Sequence, residues 1–308
     1  LAGWFSFHVT AATLEEVAPH FATTTEIVWK VPTNQVPKRL WIYGIGPHVF
    51  SAATISNAVV LAGFQQKGFP KPSAKATVIW DRIAGSTVGE PRPPYFALTP
   101  KRGAIQYDIG DRWPDAPNEI LADRAAVEYA WDCLARLGID RAQFVKTNIA
   151  SFGVAFPRQI DGIRFQDDSE GFSFQQYGKD RKLRCFCLTL PTLERVKEDT
   201  TASPQEIIAA IRAFKVPIMP NGEEADYFAR VKAMSKAKRL TITKLSLYYG
   251  EGTIGETPPE NELPKAVTPV AYLETTADFG TSNAPLTLAA PILSSDVRRL
   301  LQTKHGRK

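Results

Sequence analysis

The stretch GFSFQQYGKDRKLRCFCLTL, Gly171 to Leu190, decides the fold class. Apolar and polar side chains alternate on both sides of Gly178-Lys179-Asp180, a turn tripeptide. Period-two alternation puts successive side chains on opposite faces of a strand, so Gly171–Gln176 and Lys182–Leu190 read as an antiparallel hairpin. Two further strands precede it, at Ile149–Pro157 and Gly162–Phe165. A helix is expected before them over Glu119–Leu137. Ala126, Ala130, Cys133, Leu134 and Leu137 lie on one of its sides at helical spacing, and Gly138 is placed to end it.

The same plan, a helix followed by antiparallel strands, is expected on either side. Ser51 is placed to cap a helix running to Phe64, with Ile55, Ala58, Val59 and Ala62 as its apolar stripe. Strands follow at Ala76–Trp80, Tyr95–Thr99 and Ala104–Asp108, the last two joined through Pro100–Gly103. Downstream, Ser203, Pro204 and Glu206 form a capping box with proline at the first helical position. Ile207, Ile208, Ile211 and Phe214 supply that helix's stripe. Asn221 and Glu224 repeat the capping logic for a helix ending near Ala237, with Ala225, Phe228, Val231 and Met234 facing inward. In the strand Arg239–Tyr249, Leu240 and Ile242 share one phase, while Leu245, Leu247 and Tyr249 share the other. A phase change inside one strand requires a bulge or sharp twist. Thr268–Glu274 and Pro285–Ile292 complete the set, after an exposed loop over Gly255–Pro264.

The fold class is therefore α+β: helix-plus-antiparallel-meander units, used about three times, with sheets covered by helices. A doubly wound parallel sheet would need alternating strands and helices, and strands outnumber helices here. The breaker-rich segment Gly110–Asn118 is the expected boundary between a Trp-rich domain of residues 1–115 and a domain of residues 116–308 with a basic tail. Five tryptophans (Trp4, Trp29, Trp41, Trp80 and Trp113) precede it, against Trp131 alone beyond it, which reads as an aromatic core in the first domain.

With 308 residues, 44 % hydrophobic and 22 % charged, the chain has material for a sizeable core and lacks the composition of a disordered polymer. No apolar run reaches the roughly 18 residues that span a bilayer. The net charge of +5 is spread out, with modest concentrations at Lys179–Arg184, Lys232–Arg239 and Arg298–Lys308. Without clustering or a reading element this indicates a solvated surface, not a nucleic-acid footprint. The tail Lys304–Lys308 is expected to be disordered.

Phe156, Arg158 and the Ile160-Asp161-Gly162-Ile163 turn, followed by Gly171–Gln176, the Gly178 turn and the strand to Leu190, resemble PepSY-type domains of exported bacterial proteins, including YycH/YycI-like regulators. Ser203–Phe214 follows as the next helix of such a module would. Tyr248-Tyr249-Gly250 and Pro269-Val270-Ala271-Tyr272 resemble the way such modules close. The resemblance covers residues 119–292; Pro157 and the Cys185/Cys187 pair depart from the pattern. It implies an exported, non-catalytic module that binds peptides or protein partners, and it supplies no site residues. The start at Leu1 fits a cleaved leader or, equally, a truncated chain, and the expected location is extracytoplasmic, periplasmic or secreted.

Reactive constellations are thin. His8, His20, His48 and His305 have no second ligand at metal spacing. Cys185 and Cys187 share one face of a strand at about 6–7 Å, unsuited to a mutual disulfide, and read as packed core residues. Ser235 beside Lys236 and Lys238 reads as an ordinary helix end. Asp161, Asp167, Asp168 and Glu170 form an acidic turn without calcium-loop spacing. Glu223, Glu224 and Asp226 suit a helix start. Gly44-Ile45-Gly46 lacks the third glycine of a dinucleotide fingerprint, Val49 standing in its place. No catalytic, metal or cofactor residue is assigned, and no cofactor is expected. The leading expectation is an exported binding or interaction protein without catalytic activity, with a protein or peptide partner or a structural place in an extracellular assembly. The alternative is a hydrolase acting on a glycan or peptide through carboxylates.

Overall fold

The computed structural model describes residues 18–63, 78–80, 95–99, 102–109, 120–145, 148–150, 153–166, 171–219, 227–251 and 266–302. In chain order the strands and helices are β1 (Glu26–Trp29), β2 (Arg39–Gly46), α1 (Ala52–Leu61), β3 (Val78–Trp80), β4 (Tyr95–Thr99), β5 (Ala104–Asp108), β6 (Ile120–Leu121) and α2 (Arg124–Arg136). There follow β7 (Asn148–Ala150), β8 (Gly153–Pro157), β9 (Gln159–Ile160), β10 (Ile163–Phe165), β11 (Gly171–Tyr177), β12 (Lys182–Thr189), β13 (Thr192–Thr200) and α3 (Pro204–Arg212). The last are α4 (Tyr227–Ala233), β14 (Arg239–Glu251), β15 (Ala266–Asp278), β16 (Asn283–Pro291) and α5 (Ser294–Gln302). The fold is α+β and strand-rich. The chain divides into two compact units, one of residues 45–194 and one joining residues 1–44 to 195–308. The expected boundary segment Gly110–Asn118 lies outside the described residues. β5 before it and β6 after it belong to one sheet.

In the contiguous unit the strands run in the order β3-β4-β5-β12-β11-β8-β7, every neighbouring pair antiparallel, with β6 also on β11. The hairpin anticipated from Gly171–Leu190 is its centre, with Phe172 opposite Leu188 and Phe174 opposite Phe186. These four side chains point the same way and are at most 1 % exposed. They meet Ile55, Ala58 and Val59 of α1 and Ala126, Ala130, Cys133 and Leu134 of α2 in one core. Burying each of the larger side chains contributes roughly 1.5–3 kcal/mol. Trp131 stacks on Phe156 at 3.8 Å, and the Arg141 guanidinium lies 4.2 Å from the Trp131 ring.

Local chemistry sets the element ends. Ser51 accepts the Thr54 amide and caps α1. The helix expected from Glu119 begins only at Arg124, because Asp123 caps it and Ile120–Leu121 pair instead with β11. The strand expected over Ile149–Pro157 is two strands, folded back with Ala150 opposite Gly153. Gly153 has φ +128°, and a Cβ there would meet the Phe174 carbonyl at 2.6 Å. Asp161 and Gly162, at φ 50° and 76°, turn β9 into β10 as their types allow.

The discontinuous unit is built on the meander β14-β15-β16, which is antiparallel throughout. The phase change read in Arg239–Tyr249 is a register shift between Ile242 and Lys244. β1 pairs with β14 in parallel, Glu26 beside Arg239 through Trp29 beside Ile242. Tyr43 and Gly44 of β2 oppose Val267 and Ala266 of β15. The capping box at Ser203 is present in both directions, with Glu206 Oε2 accepting the Ser203 amide at 2.7 Å. Phe228, expected to face inward, is 56 % exposed. Tyr227 takes the inner place instead, one turn before the buried Val231, and donates its hydroxyl to the Ile218 carbonyl at 2.7 Å. The capping residues expected at Asn221 and Glu224 lie outside the described residues.

Candidate functional site

The most concentrated ionisable chemistry among the described residues of the discontinuous unit lies around the start of α5. A shallow depression there is walled by Thr268, Pro269, Val270, Pro291, Asp296, Arg299 and Leu300, and is too small for more than a water-sized guest. Thr268 and Val270, two apart on β15, lie on one face of the strand, and both line the depression with Asp296, Arg299 and Leu300 of α5. Arg299 donates to Asp296 Oδ1 at 3.2 Å, one turn along the helix. Burial pushes the Asp296 carboxyl upward; Arg299 opposes this and Asp199 adds to it. Asp199, on β13, goes the other way. Burial alone would raise it, but the Ser295 hydroxyl, the Thr200 amide at 2.7 Å, Lys197 and Arg298 together hold it below the usual carboxylate range. Two carboxylates with opposite shifts are the kind of pair that can divide acid and base roles. Here each is already engaged by neighbouring cations or hydrogen-bond donors, and the depression beside them has no depth.

In the contiguous unit, Cys185 and Cys187 do not join the core as expected. They are half-buried and point away from Phe186 and Leu188, because strand alternation assigns successive residues to opposite faces. Their row neighbours are small or polar: Asp108 and Gln175 beside Cys185, Gln106 and Ser173 beside Cys187. Burial raises the two thiols to about 12 and about 11, and both are free of disulfides. Cys133, by contrast, is a core residue as expected, its thiol raised to about 12 by burial.

The remaining residues singled out by type fall apart. His20 stacks on Phe214 at 4.4 Å, and His48 lies half-buried just after β2. Gly44 and Gly46 are strand residues of β2, not a phosphate loop. Ser235 donates to the Lys232 carbonyl at 2.9 Å, a helix-end bond. Trp29 and Trp41 are half-buried on β1 and β2, with the Arg195 guanidinium 5.0 Å from the Trp41 ring. His8, His305, Trp4, Trp113, Asp167, Asp168, Glu170, Glu223, Glu224 and Asp226 lie outside the described residues. Among the described residues no three His, Cys, Asp or Glu side chains gather as a metal site would require, and no helix is long and apolar enough to cross a membrane. β13 and α5 went unread in the sequence. Thr192–Thr200 is charged on both faces, and α5 carries only Val297 as a buried large side chain. Compared with models of known protein families and with curated proteins, the chain matches none.

Proposed function

We propose that the protein is an exported, non-catalytic binding module whose partner is a peptide or protein segment. The observation that supports this most directly is β13. It ends the path of its sheet, with β2 as its only strand neighbour among the described residues. Arg195, Val196 and Lys197 are all exposed, Val196 at 66 %. An edge strand of nine residues offers backbone N–H and C=O groups to an added strand. β2 holds the edge from behind: Arg39 pairs with Glu198 at 2.9 Å, and Thr201 donates its amide to the Lys38 carbonyl at 3.1 Å. The helix-plus-meander organisation and the PepSY-type resemblance point to the same class of role.

Selecting extended peptides against the immobilised chain tests the reading. Successive amides of a strand point to opposite edges, so of Val196→Pro and Lys197→Pro one removes an outward donor. Peptides that bind the parent and are lost with that variant, at unchanged circular dichroism, support the proposal. Peptides indifferent to both substitutions overturn it. The second reading, a hydrolase working through carboxylates, is favoured only by the opposite shifts of Asp199 and Asp296. It requires Asp296→Asn to abolish a turnover detectable in the parent.

A further inference from the structure

We propose that the edge of β13 takes a peptide strand of one charge order, basic, acidic, apolar, acidic, basic, and disfavours a second copy of this chain. The inference rests on the binding reading above and names the chemistry of the partner.

Residues 194–198 of β13 are Glu-Arg-Val-Lys-Glu, an order of charge that is the same from either end. Successive side chains of a strand alternate between faces, so Glu194 and Val196 share one face and Lys197 lies on the other. Val196, 66 % exposed, offers contact to an apolar side chain directly across from it. Two charges are open to an added strand. Glu194 is exposed and makes no ion pair among the described residues. The Lys197 side chain is 59 % exposed, and its Nζ stands 3.7 Å from Asp199 Oδ2, beyond hydrogen-bond length. The other two are engaged: Glu198 by Arg39 at 2.9 Å, and Arg195 by the Tyr43 hydroxyl oxygen at 3.4 Å and the Trp41 ring at 5.0 Å. Glu194 and Lys197 therefore discriminate the order.

Two copies joined edge to edge about a two-fold axis run antiparallel. Every such register centred on a residue from 194 to 198 sets like charges opposite each other. Glu194, Arg195, Lys197 or Glu198 meets its own copy, or, centred on Val196, Glu194 meets Glu198 and Arg195 meets Lys197. Self-pairing is thereby disfavoured at an edge whose backbone would otherwise invite it. The complementary order, Lys-Glu-Val-Glu-Lys, is also the same from either end. It sets a base across from Glu194 and an acid across from Lys197 whether the added strand runs parallel or antiparallel.

The test uses two end-blocked peptides of identical composition and zero net charge. The same Thr-Val repeats flank Lys-Glu-Val-Glu-Lys in one and Glu-Lys-Val-Lys-Glu in the other. Titrated against the full chain, the first should bind about tenfold more tightly at low salt. The margin should shrink as salt is added. Glu194→Lys combined with Lys197→Glu should reverse the preference. Glu194→Lys alone, the second variant should the pair disturb the circular dichroism, should narrow it. Preference for the second order, failure of both peptides to bind, or self-association that Val196→Pro or Lys197→Pro abolishes would each overturn the inference. Equal binding of both orders, lost with one of the proline variants, leaves the binding reading standing and overturns this one.

Discussion

Asp123 and Arg181 meet as a two-pronged ion pair, Nη1 to Oδ1 at 3.1 Å and Nη2 to Oδ2 at 2.5 Å. The same aspartate caps α2 by accepting the Ala126 amide at 2.9 Å. One carboxylate thus ties a helix start to the turn of the central hairpin, where Arg181 itself holds φ +51°.

The Arg181 hydrogen bonds, with the Ala126 amide next, lower Asp123 from 3.8 to about 2. A depressed carboxylate stabilises the fold above its unfolded pKa, and that contribution is lost as the pH falls through its folded value. Asp123→Asn, which keeps a capping oxygen, should unfold at lower urea than the parent at pH 7. The two midpoints should converge near pH 2; a constant gap would refute the assignment.

Asp296 has the opposite sign. Its carboxyl is raised, chiefly by burial, so its contribution is full below the unfolded value and is lost as the pH rises through the folded one. Asp296→Asn should therefore match or exceed the parent's thermal midpoint at neutral pH and gain nothing at pH 3. A marked loss at neutral pH would show that its bond to Arg299 outweighs burial.

Phe186 is 1 % exposed between Phe172 and Tyr107. Phe186→Ala should cost about 3–5 kcal/mol in denaturant unfolding. Val196→Ala, on the exposed edge, should cost under about 0.5 kcal/mol. Similar losses at the two positions would contradict the described core.

Gly171 has φ +139°, and a Cβ there would run into the Phe156 carbonyl. Gly162, at φ +76°, has nothing within 4 Å. Both alanine variants carry backbone strain, but Gly171→Ala should be the worse by melting temperature, since it must also part β8 from β11.

Cys185 and Cys187, raised by burial to about 12 and 11, should be poor nucleophiles in the folded protein. Labelling by a thiol-specific reagent at pH 7.5 should be at least ~100-fold slower than in urea. Fast labelling of the native chain would mean that the thiols are far more open than their surroundings imply.

The sequence disclosed most where one residue type has one structural use. Ser203 with Glu206, the Asp161-Gly162 turn and the alternation around Gly178 each have a single low-energy solution, and each appears as read. The bulge in β14 was legible because a change of phase cannot be hidden in a two-residue repeat. Phe228 misled because two adjacent aromatics, Tyr227 and Phe228, both fit a helical stripe, and the choice was made by Ile218 offering a carbonyl to the Tyr227 hydroxyl. β13 gave no apolar rhythm because an edge strand needs none. The contact of His48 with Thr192 is illegible for another reason: 144 residues separate them, and no local pattern records which segments a sheet will bring together.

The parallel pairing of β1 with β14 has a consequence for synthesis. Glu26–Trp29 leave the ribosome long before Arg239–Ile242, their partners, have been made. The contiguous unit of residues 45–194 can meanwhile collapse around its own hairpin. The pairing of Glu26–Trp29 with Arg239–Ile242 must therefore wait for the later strand to emerge, and this part of the discontinuous unit closes only after the contiguous unit has been made.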